Sequence, residues 1–196
     1  MPEDIDDILT FWFGGLDELG MSAPEQNTLW FKSSEETDRL CQERFGDLVE
    51  TAITGGLQAW ETDDRGLIAL IILLDQLPRN IHRGTPQAFS GDPRALALAQ
   101  HCIGHGHHQR LPVIHQVFLF LPLEHNENIE AQEQCVELFH ELYEITGLEA
   151  VKGYLRYAEA HRDVIQKFGR FPHRNIILDR ESNPDELEYL QNHGGF

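Results

Sequence analysis

The stretch of sequence that decides the fold is residues 63–83, which reads DDRGLIALIILLDQLPRNIHR. Its first half contains the uninterrupted apolar run Leu67–Leu74. Because this run is far shorter than the roughly 20 residues that cross a bilayer, it predicts a helix buried in a protein core. Asp63 or Asp64 can cap the start of that helix, since a carboxylate at this position accepts a hydrogen bond from the first-turn backbone.

The end of this stretch is a motif that the chain contains almost twice. Leu77-Pro78-Arg79-Asn80-Ile81 resembles Phe171-Pro172-His173-Arg174-Asn175-Ile176, and Arg83 follows the first copy while Arg170 precedes the second. Proline biases the residue before it out of the helical region. We therefore expect each copy to follow a helix that has just ended, with the first helix ending at Leu77.

Helical periodicity is the main signal in the rest of the chain. The run Val113–Leu121 is apolar nearly all round and predicts a central helix. No segment alternates convincingly with a period of two, so the sequence predicts an all-α domain of antiparallel helices. The helix boundaries are predicted by Ser33 with Glu36, by Asp92-Pro93 and Asn128 as starts, and by Gly147 and Gly169 as ends.

Composition and charge limit the classes of partner. The chain has 196 residues, which fits one domain spanning 1–196, and its formal net charge is -18. Such an acidic surface repels nucleic acid and anionic lipid, so we expect neither as a partner. An anionic ligand would need a local cluster of cations. Arginine is suited to that role because its planar fork matches carboxylate and phosphate groups.

Cysteine usage and the chain start predict the compartment. The three cysteines, Cys41, Cys102 and Cys135, are odd in number and far apart in the sequence. This spacing argues against a disulfide framework and indicates a reduced, cytoplasmic setting with the thiols in the core. The first residues are acidic where a secretory signal would be positively charged.

Several motifs carry a resemblance to a known family. They are Trp30-Phe31, the string LDQLPRN at 74–80, the string FLPLEHNE at 120–127, His161, and the string FGRFPHRN at 168–175. In these motifs, in order and over nearly the whole chain, the sequence resembles the DUF924 family of bacterial-type proteins. Two positions depart from the family pattern: Asn126 stands where serine is usual, and Asp179 where glycine often precedes the arginine.

The resemblance implies a fold but no established activity. The implied fold is all-α and similar to tetratricopeptide repeats, with antiparallel helix pairs forming a right-handed solenoid closed into one compact domain. The sequence itself has no clear 34-residue period, so periodicity alone does not predict the repeats.

The arginine motifs have two interpretations. If the two copies approach in space, four guanidinium groups converge, and anions must offset their charge. The anions are either internal carboxylates, which makes the cluster structural, or a bound ligand. The internal candidates are Asp75, which lies four residues before Arg79, and Glu124, Glu127 and Asp179.

The leading hypothesis is a small anionic ligand in an arginine and histidine pocket, with hydrolytic or transfer chemistry as a further step. A histidine near a carboxylate can act as a general base, and arginines can stabilise developing negative charge. The candidate bases are His125 and His161. The candidate ligand-binding residues are Arg79, Asn80, Arg83, Glu127, Arg170, His173, Arg174 and Asn175, with Asp75 as a structural partner.

Other functions remain open at the sequence level. A tetratricopeptide-like scaffold could clamp an acidic peptide or a carboxyl terminus, or the arginine motifs could be purely structural. The histidine-rich segment 101–110 is interrupted by two glycines and has no recognisable ligand spacing. We therefore predict no metal and no other cofactor. No nucleophile motif or phosphate-binding glycine loop is present.

Overall fold

The computed structural model describes residues 2–32 and 34–194. Within this part of the chain, helix is the main regular structure, and an isolated antiparallel β-bridge joins Leu16 and Ser22. The α-helices, numbered α1 to α10 in chain order, span Pro2–Phe13, Gln26–Phe31, Glu35–Ile53, Asp64–Ile71, Leu77–Ile81, Asp92–Gly104, Val113–Glu124, Ile129–Thr146, Glu149–Phe168 and Pro184–His193. Shorter 3₁₀ turns cover Gln58–Thr62, Pro86–Phe89, His107–Arg110 and Pro172–Arg174.

The chain divides into two compact units. The first comprises Met1–Arg83 and Gln87–Pro122, and the second comprises Gly84–Pro86 and Leu123–Phe196. The expectation of a single domain over 1–196 stays a prediction, and each unit is described by itself below. The all-α class is confirmed for the described residues, while closure into a tetratricopeptide-like solenoid stays a prediction.

The core of the first unit is built around aromatic side chains and α4. Trp12 and Phe13 are buried on α1 and meet Phe118 of α7 edge to face, with ring centroids 5.9 and 5.2 Å apart. Residues Gly66–Ile71 of α4 are all buried, as the apolar run predicts. Asp63 accepts hydrogen bonds from the backbone N–H groups of Arg65 and Gly66, which confirms it as the cap of α4.

The predicted helix end at Leu77 is wrong. After α4, residues Ile72–Gln76 form a π turn, and α5 continues through Pro78 to Ile81. In a π turn the backbone bonds from residue i to i+5, so the helix widens by one residue. The turn thus accommodates a proline, which has no N–H to donate. Arg79 and Asn80 consequently lie in a helix rather than beyond one.

Gly91 packs directly against this helix. A β-carbon placed on Gly91 would lie 2.1 Å from the carbonyl oxygen of Leu74 and 2.8 Å from its carbonyl carbon. Leu74 is the residue whose carbonyl an α-helical residue 78 would bond, and proline cannot make that bond. Gly91 therefore covers the part of the helix backbone where the regular series of hydrogen bonds is interrupted.

One predicted helix start needs correction, and another lies outside the described residues. Gly91 is the N-cap of α6, so Asp92 is the first helical residue rather than the cap. The reason is that the Asp92 carboxylate binds Arg79 instead of the helix backbone. For α3, Ser33 lies outside the described residues, and the capping group is Ser34, which accepts from the N–H of Thr37.

The second unit is organised by a helical hairpin of α8 and α9. The two helices are joined through Gly147 and pack against each other along their length. Asn128 caps α8 by accepting from the N–H of Ala131, and Gly147 ends it in the left-handed conformation, as predicted. Gly169 ends α9 in the same way, with φ of 70°. The chain then forms the 3₁₀ turn Pro172–Arg174, where the second copy of the motif lies.

Candidate functional site

The first arginine motif is held by carboxylates of its own unit. Arg79 donates to both carboxylate oxygens of Asp92, with Nη1–Oδ1 and Nη2–Oδ2 distances of 2.8 and 3.1 Å. Its Nη1 also lies 3.5 Å from Oδ1 of Asp75, which is completely buried. Asp75 and Arg79, four residues apart, thus lie within ion-pair distance, and the role of Asp75 as a structural partner of the motif stays a prediction.

The rest of this motif converges on Asp38 of α3. Arg83 donates through Nε and Nη2 to the two oxygens of Asp38, at 2.6 and 2.8 Å. Asn80 donates to the same carboxylate at 2.9 Å. The Arg83 hydrogen bonds hold the pKa of Asp38 below its ordinary value against the opposing effect of burial. These contacts match the structural interpretation, and a ligand-binding role for Arg79, Asn80 and Arg83 stays a prediction.

In the second unit, Glu127 fixes the backbone of the second motif. Its Oε1 accepts from the N–H of Phe171 at 2.8 Å, and its two oxygens accept from Arg180 at 2.7 and 2.9 Å. Burial alone would raise the pKa of Glu127, but the Arg180 and Phe171 hydrogen bonds keep it below its ordinary value. Arg180 also donates to the carbonyl oxygen of Phe171 and to Asn175. Glu127 and Arg180 thus clamp the segment before and after the 3₁₀ turn.

A second clamp is centred on Glu186 of α10. Arg170 donates to its two carboxylate oxygens at 2.6 and 2.8 Å, and Asn183 and Asn175 also donate to it. Glu186 is completely buried, and the Arg170 hydrogen bonds lower its pKa to about 2. The predicted ligand-binding residues Arg170 and Asn175 are therefore engaged in holding α10 to the motif.

Between these clamps lies a group that we call the His/Arg cluster: His125, His161, His173 and Arg174. Its centre is the fully buried ring of Phe171. The Arg174 guanidinium carbon lies 4.5 Å above the centroid of that ring, and the His161 and His173 rings lie 5.5 and 5.7 Å from it. The His125 ring is 6.5 Å from that of His161. The sequence predicted all four members as site residues, and the structure brings them together.

The cluster keeps two imidazoles neutral. Burial, followed by the charges of His125, Arg174 and His173, lowers the pKa of His161 to about 3 despite a hydrogen bond that favours protonation. Burial and then Arg174 lower the pKa of His173 to about 4, although Glu127 opposes the shift. The positive potential of Arg174 therefore reaches both rings.

His161 is oriented by groups on two helices. Its Nδ1 lies 2.8 Å from the carbonyl oxygen of Tyr157 on α9 and 3.5 Å from Oε1 of Glu124, the last residue of α7. Both Glu124 and His161 are buried. A histidine held through Nδ1 by a carbonyl and a carboxylate presents Nε2 as its reactive nitrogen.

The sequence missed four residues of these networks. Asp38 and Asp92 hold the first motif, while Arg180 and Glu186 hold the second. Arg180 had a usable signal, since Asp179 before it occupies a position where the family often has glycine. Asp179 adopts a positive φ of 53°, which explains that preference because glycine takes this conformation without strain.

The histidine-rich segment 101–110 forms no metal site in the described part of the chain. Across residues 2–32 and 34–194, no group of three or more His, Cys, Asp or Glu side chains is arranged to hold a metal ion. The rings of His101, His105 and His107 pack side by side on the surface, with centroids 4.3 and 5.7 Å apart, and Nδ1 of His105 bonds the carbonyl oxygen of His101.

Fold and site together define an all-helical protein whose second unit carries a clamped cluster of histidine and arginine. The chain belongs to the DUF924 family, described as bacterial protein of unknown function, which matches residues 8–194. It is similar to a solved structure, the protein of unknown function ATU0120 from Agrobacterium tumefaciens. The two are 36% identical, with a TM-score of 0.81 over 97% of this chain and 98% of that one. No curated protein matches the chain. Every helix in the described part of the chain is too short or too polar to cross a membrane.

Proposed function

We propose that the second unit binds a small anion, such as a carboxylate or a phosphate group, at the His/Arg cluster. The observation that carries the proposal is the position of Arg174 among the histidines. Arg174 is only 7% exposed, and its guanidinium carbon lies 4.5 Å above the Phe171 ring, which the His161 and His173 rings also contact. Burial, and to a smaller degree the charge of Arg174, lowers the pKa of both histidines. Arg174 produces a positive potential in a buried region beside two neutral imidazoles. Such an environment stabilises a negative charge.

The neighbouring ion pairs hold the segment that carries the cluster. Arg170 and Arg180 each engage a carboxylate through two hydrogen bonds. Such forked pairs satisfy much of the binding capacity of a guanidinium. Their contribution is to hold Phe171 and the 3₁₀ turn, and thereby Arg174 and His173, in place.

Binding is favoured over catalysis by the pKa of His161. A general base is most effective when its pKa lies near the operating pH. With a pKa of about 3, His161 is neutral at pH 7 but a weak base. Hydrolytic or transfer chemistry at His125 and His161, and the alternative of a peptide-binding scaffold, therefore stay predictions.

A thermal-shift titration with sulfate, phosphate and acetate tests the proposal in wild type and Arg174→Met, which keeps a long side chain over Phe171 but removes the charge. Sulfate and phosphate also stabilise proteins in general, because they are excluded from the surface. The matched control is Arg156→Met, on an exposed position of α9 in the same unit.

We expect at least one anion to stabilise wild type and Arg156→Met equally, and Arg174→Met much less. At a hundred times its dissociation constant, a ligand adds about 2.7 kcal/mol to the unfolding free energy. Equal responses from all three proteins would show only general salt stabilisation and would contradict the proposal.

A further inference from the structure

One face of α9 is uncovered in the first half of the helix. Ala150, Gly153 and Tyr157 are spaced by three and four residues, so they lie on the same side of the helix. Tyr157 is 64% exposed, and Ala150 is exposed as well. Two turns further along the same side, Val164 is buried in a cluster with Phe171. The chain therefore covers the second half of this face and leaves the first half open.

Gly153 has no role that the described part of its own chain explains. Glycine inside a helix is less stable than alanine, yet Gly153 lies in the second turn of a 20-residue helix. Its backbone is helical, and a β-carbon built on it would meet nothing within 4 Å. Neither the conformation nor the packing of the described residues therefore requires glycine here. What glycine does allow is the close approach of another backbone.

The charges on α9 favour an acidic partner, and a second copy of this chain is one. The chain has a formal net charge of -18, so two copies repel each other over most of their surface. On α9, four cations stand against three acids: Lys152, Arg156, Arg162 and Lys167 against Glu149, Glu159 and Asp163. The repulsion between two copies is therefore reduced where they meet through this helix.

Glu149 and Arg156 make the open face complementary to itself. They are seven residues apart, so they lie on the same flank of the helix, about 10.5 Å apart along its axis. Arg156 is exposed and takes part in none of the ion pairs among the described residues. Glu149 is 78% exposed and lies 3.4 Å from Lys152. If a second α9 crosses the first in antiparallel orientation, with a twofold axis beside Gly153, each Arg156 faces Glu149 of the other copy.

We infer that the second unit binds a second copy of the chain through α9, as an antiparallel pair of helices related by a twofold axis beside Gly153. Such contacts, in which both copies use the same surface, are the commonest in homo-oligomers. Gly153 lets the two backbones come close, Arg156 pairs with Glu149 twice across the axis, and Tyr157 of each copy covers the first turn of α9 in the other. The interface uses no residue of the His/Arg cluster. The anion titration compares each protein with and without the anion, so Arg156→Met stays a valid control there.

Sedimentation velocity over about 10–500 µM protein tests this inference, because a single pair of helices is a small interface and gives a weak dimer. Arg156→Glu and Glu149→Arg each place like charges opposite each other twice, so we expect each to weaken the dimer by at least about tenfold. The double variant with both changes exchanges the charges at constant net charge and is expected to restore the dimer. The two residues are two turns apart on one helix, so such a rescue reports a contact between copies.

Gly153→Leu tests the close approach of the two helices. Because the space at Gly153 is open in the single chain, we expect this variant to be a folded monomer, with circular dichroism as the check on folding. Glu159→Arg, at another exposed position of α9, is the control and is expected to dimerise as wild type does. The inference is wrong if wild type stays monomeric over this range, or if Glu159→Arg weakens the dimer as much as the other reversals. It is also wrong if the double variant stays dissociated or if Gly153→Leu dimerises normally.

Discussion

The two copies of the proline-arginine-asparagine motif have nearly the same letters but different structures. In the first unit, Pro78 lies inside a helix because a π turn precedes it. In the second unit, Gly169 ends α9 with a positive φ, and Pro172 begins a 3₁₀ turn. The comparison shows that proline does not by itself end a helix. The residues before it decide whether the backbone can continue.

The arginines of the two copies also differ in what surrounds them. Arg79 and Arg83 bind carboxylates of α6 and α3, and Asn80 joins the second of these pairs. In the second copy, Arg170 binds Glu186, whereas Arg174 lies over an aromatic ring among histidines. The first copy is thus held by carboxylates of two helices, and the second places one arginine on a carboxylate and another over an aromatic ring.

The largest expected effect comes from Gly91→Ala, which disrupts the support of the first copy. The added β-carbon would lie 2.1 Å from the Leu74 carbonyl oxygen, and its other near neighbours are also backbone atoms. Because backbone cannot move aside as a flexible side chain can, we expect a loss of about 4 kcal/mol of unfolding free energy. Urea denaturation followed by circular dichroism measures this loss.

Gly104→Ala is the matched control for that change. Gly104 lies at the other end of α6, and a β-carbon there would meet nothing within 4 Å. Alanine is the better helix former, so we expect no loss of stability and a gain of up to about 1 kcal/mol. Similar losses at both positions would contradict the close packing of Gly91 on the π turn.

The next largest effect is expected for Arg79→Met, and Arg83→Met is the variant with which it is compared. Removing Arg79 takes a guanidinium from Asp92 and from the fully buried Asp75, at a cost of about 3 kcal/mol. Arg83 is 47% exposed, and a surface pair of this kind contributes less than about 1 kcal/mol. Chemical denaturation of the two variants gives the comparison, and equal losses would contradict the structural role of Arg79.

The smallest of these effects is expected for Glu186→Gln in the second unit. Glutamine keeps the shape of the side chain but loses the negative charge to which Arg170 donates two hydrogen bonds. We expect a loss of about 2 kcal/mol at pH 7, in the range of hydrogen bonds to charged groups. Glu188→Gln, at an exposed position on the same helix, is the control and is expected to leave stability unchanged.

The loss of stability caused by Glu186→Gln is expected to depend on pH. Because the folded-state pKa of Glu186 is lowered from 4.5 to about 2, its charge stabilises the folded state fully above about pH 4.5, and this contribution is lost as the pH falls toward 2. The difference in stability between wild type and Glu186→Gln is therefore expected to shrink over that window. A constant difference at pH 7 and at about pH 3 would show that the charge of Glu186 contributes nothing.

Local signals in the sequence predicted most helix boundaries. Asn128, Gly147 and Gly169 act as predicted, since each forms its cap with backbone groups only a few residues away. The two failures have causes that the local signals do not reveal. Asp92 does not cap α6 because Arg79 binds its carboxylate, and Pro78 does not end its helix because a π turn forms before it.

Only the part of the candidate site that lies in or near local motifs could be predicted from the sequence. His125, His161, His173 and Arg174 could be chosen because each belongs to a distinctive motif or lies near one. The partners that hold the two motifs could not, because Arg180 pairs with a glutamate 53 residues away and Arg83, in the first motif, pairs with an aspartate 45 residues away. Pairing over such separations depends on the packing of helices and leaves no periodic trace in the sequence.

The π turn at Ile72–Gln76 also changes the directions in which the side chains after it point. An α-helix advances by about 100° per residue, and a turn that holds one extra residue shifts everything after it by about that angle. Each side chain on α5 therefore points in the direction that the preceding residue would have in an uninterrupted α-helix. The directions of Arg79 toward Asp92 and of Asn80 toward Asp38 depend on that rotation, so converting the turn into an ordinary α-helical turn with no residue removed would redirect the whole motif without altering any of its letters.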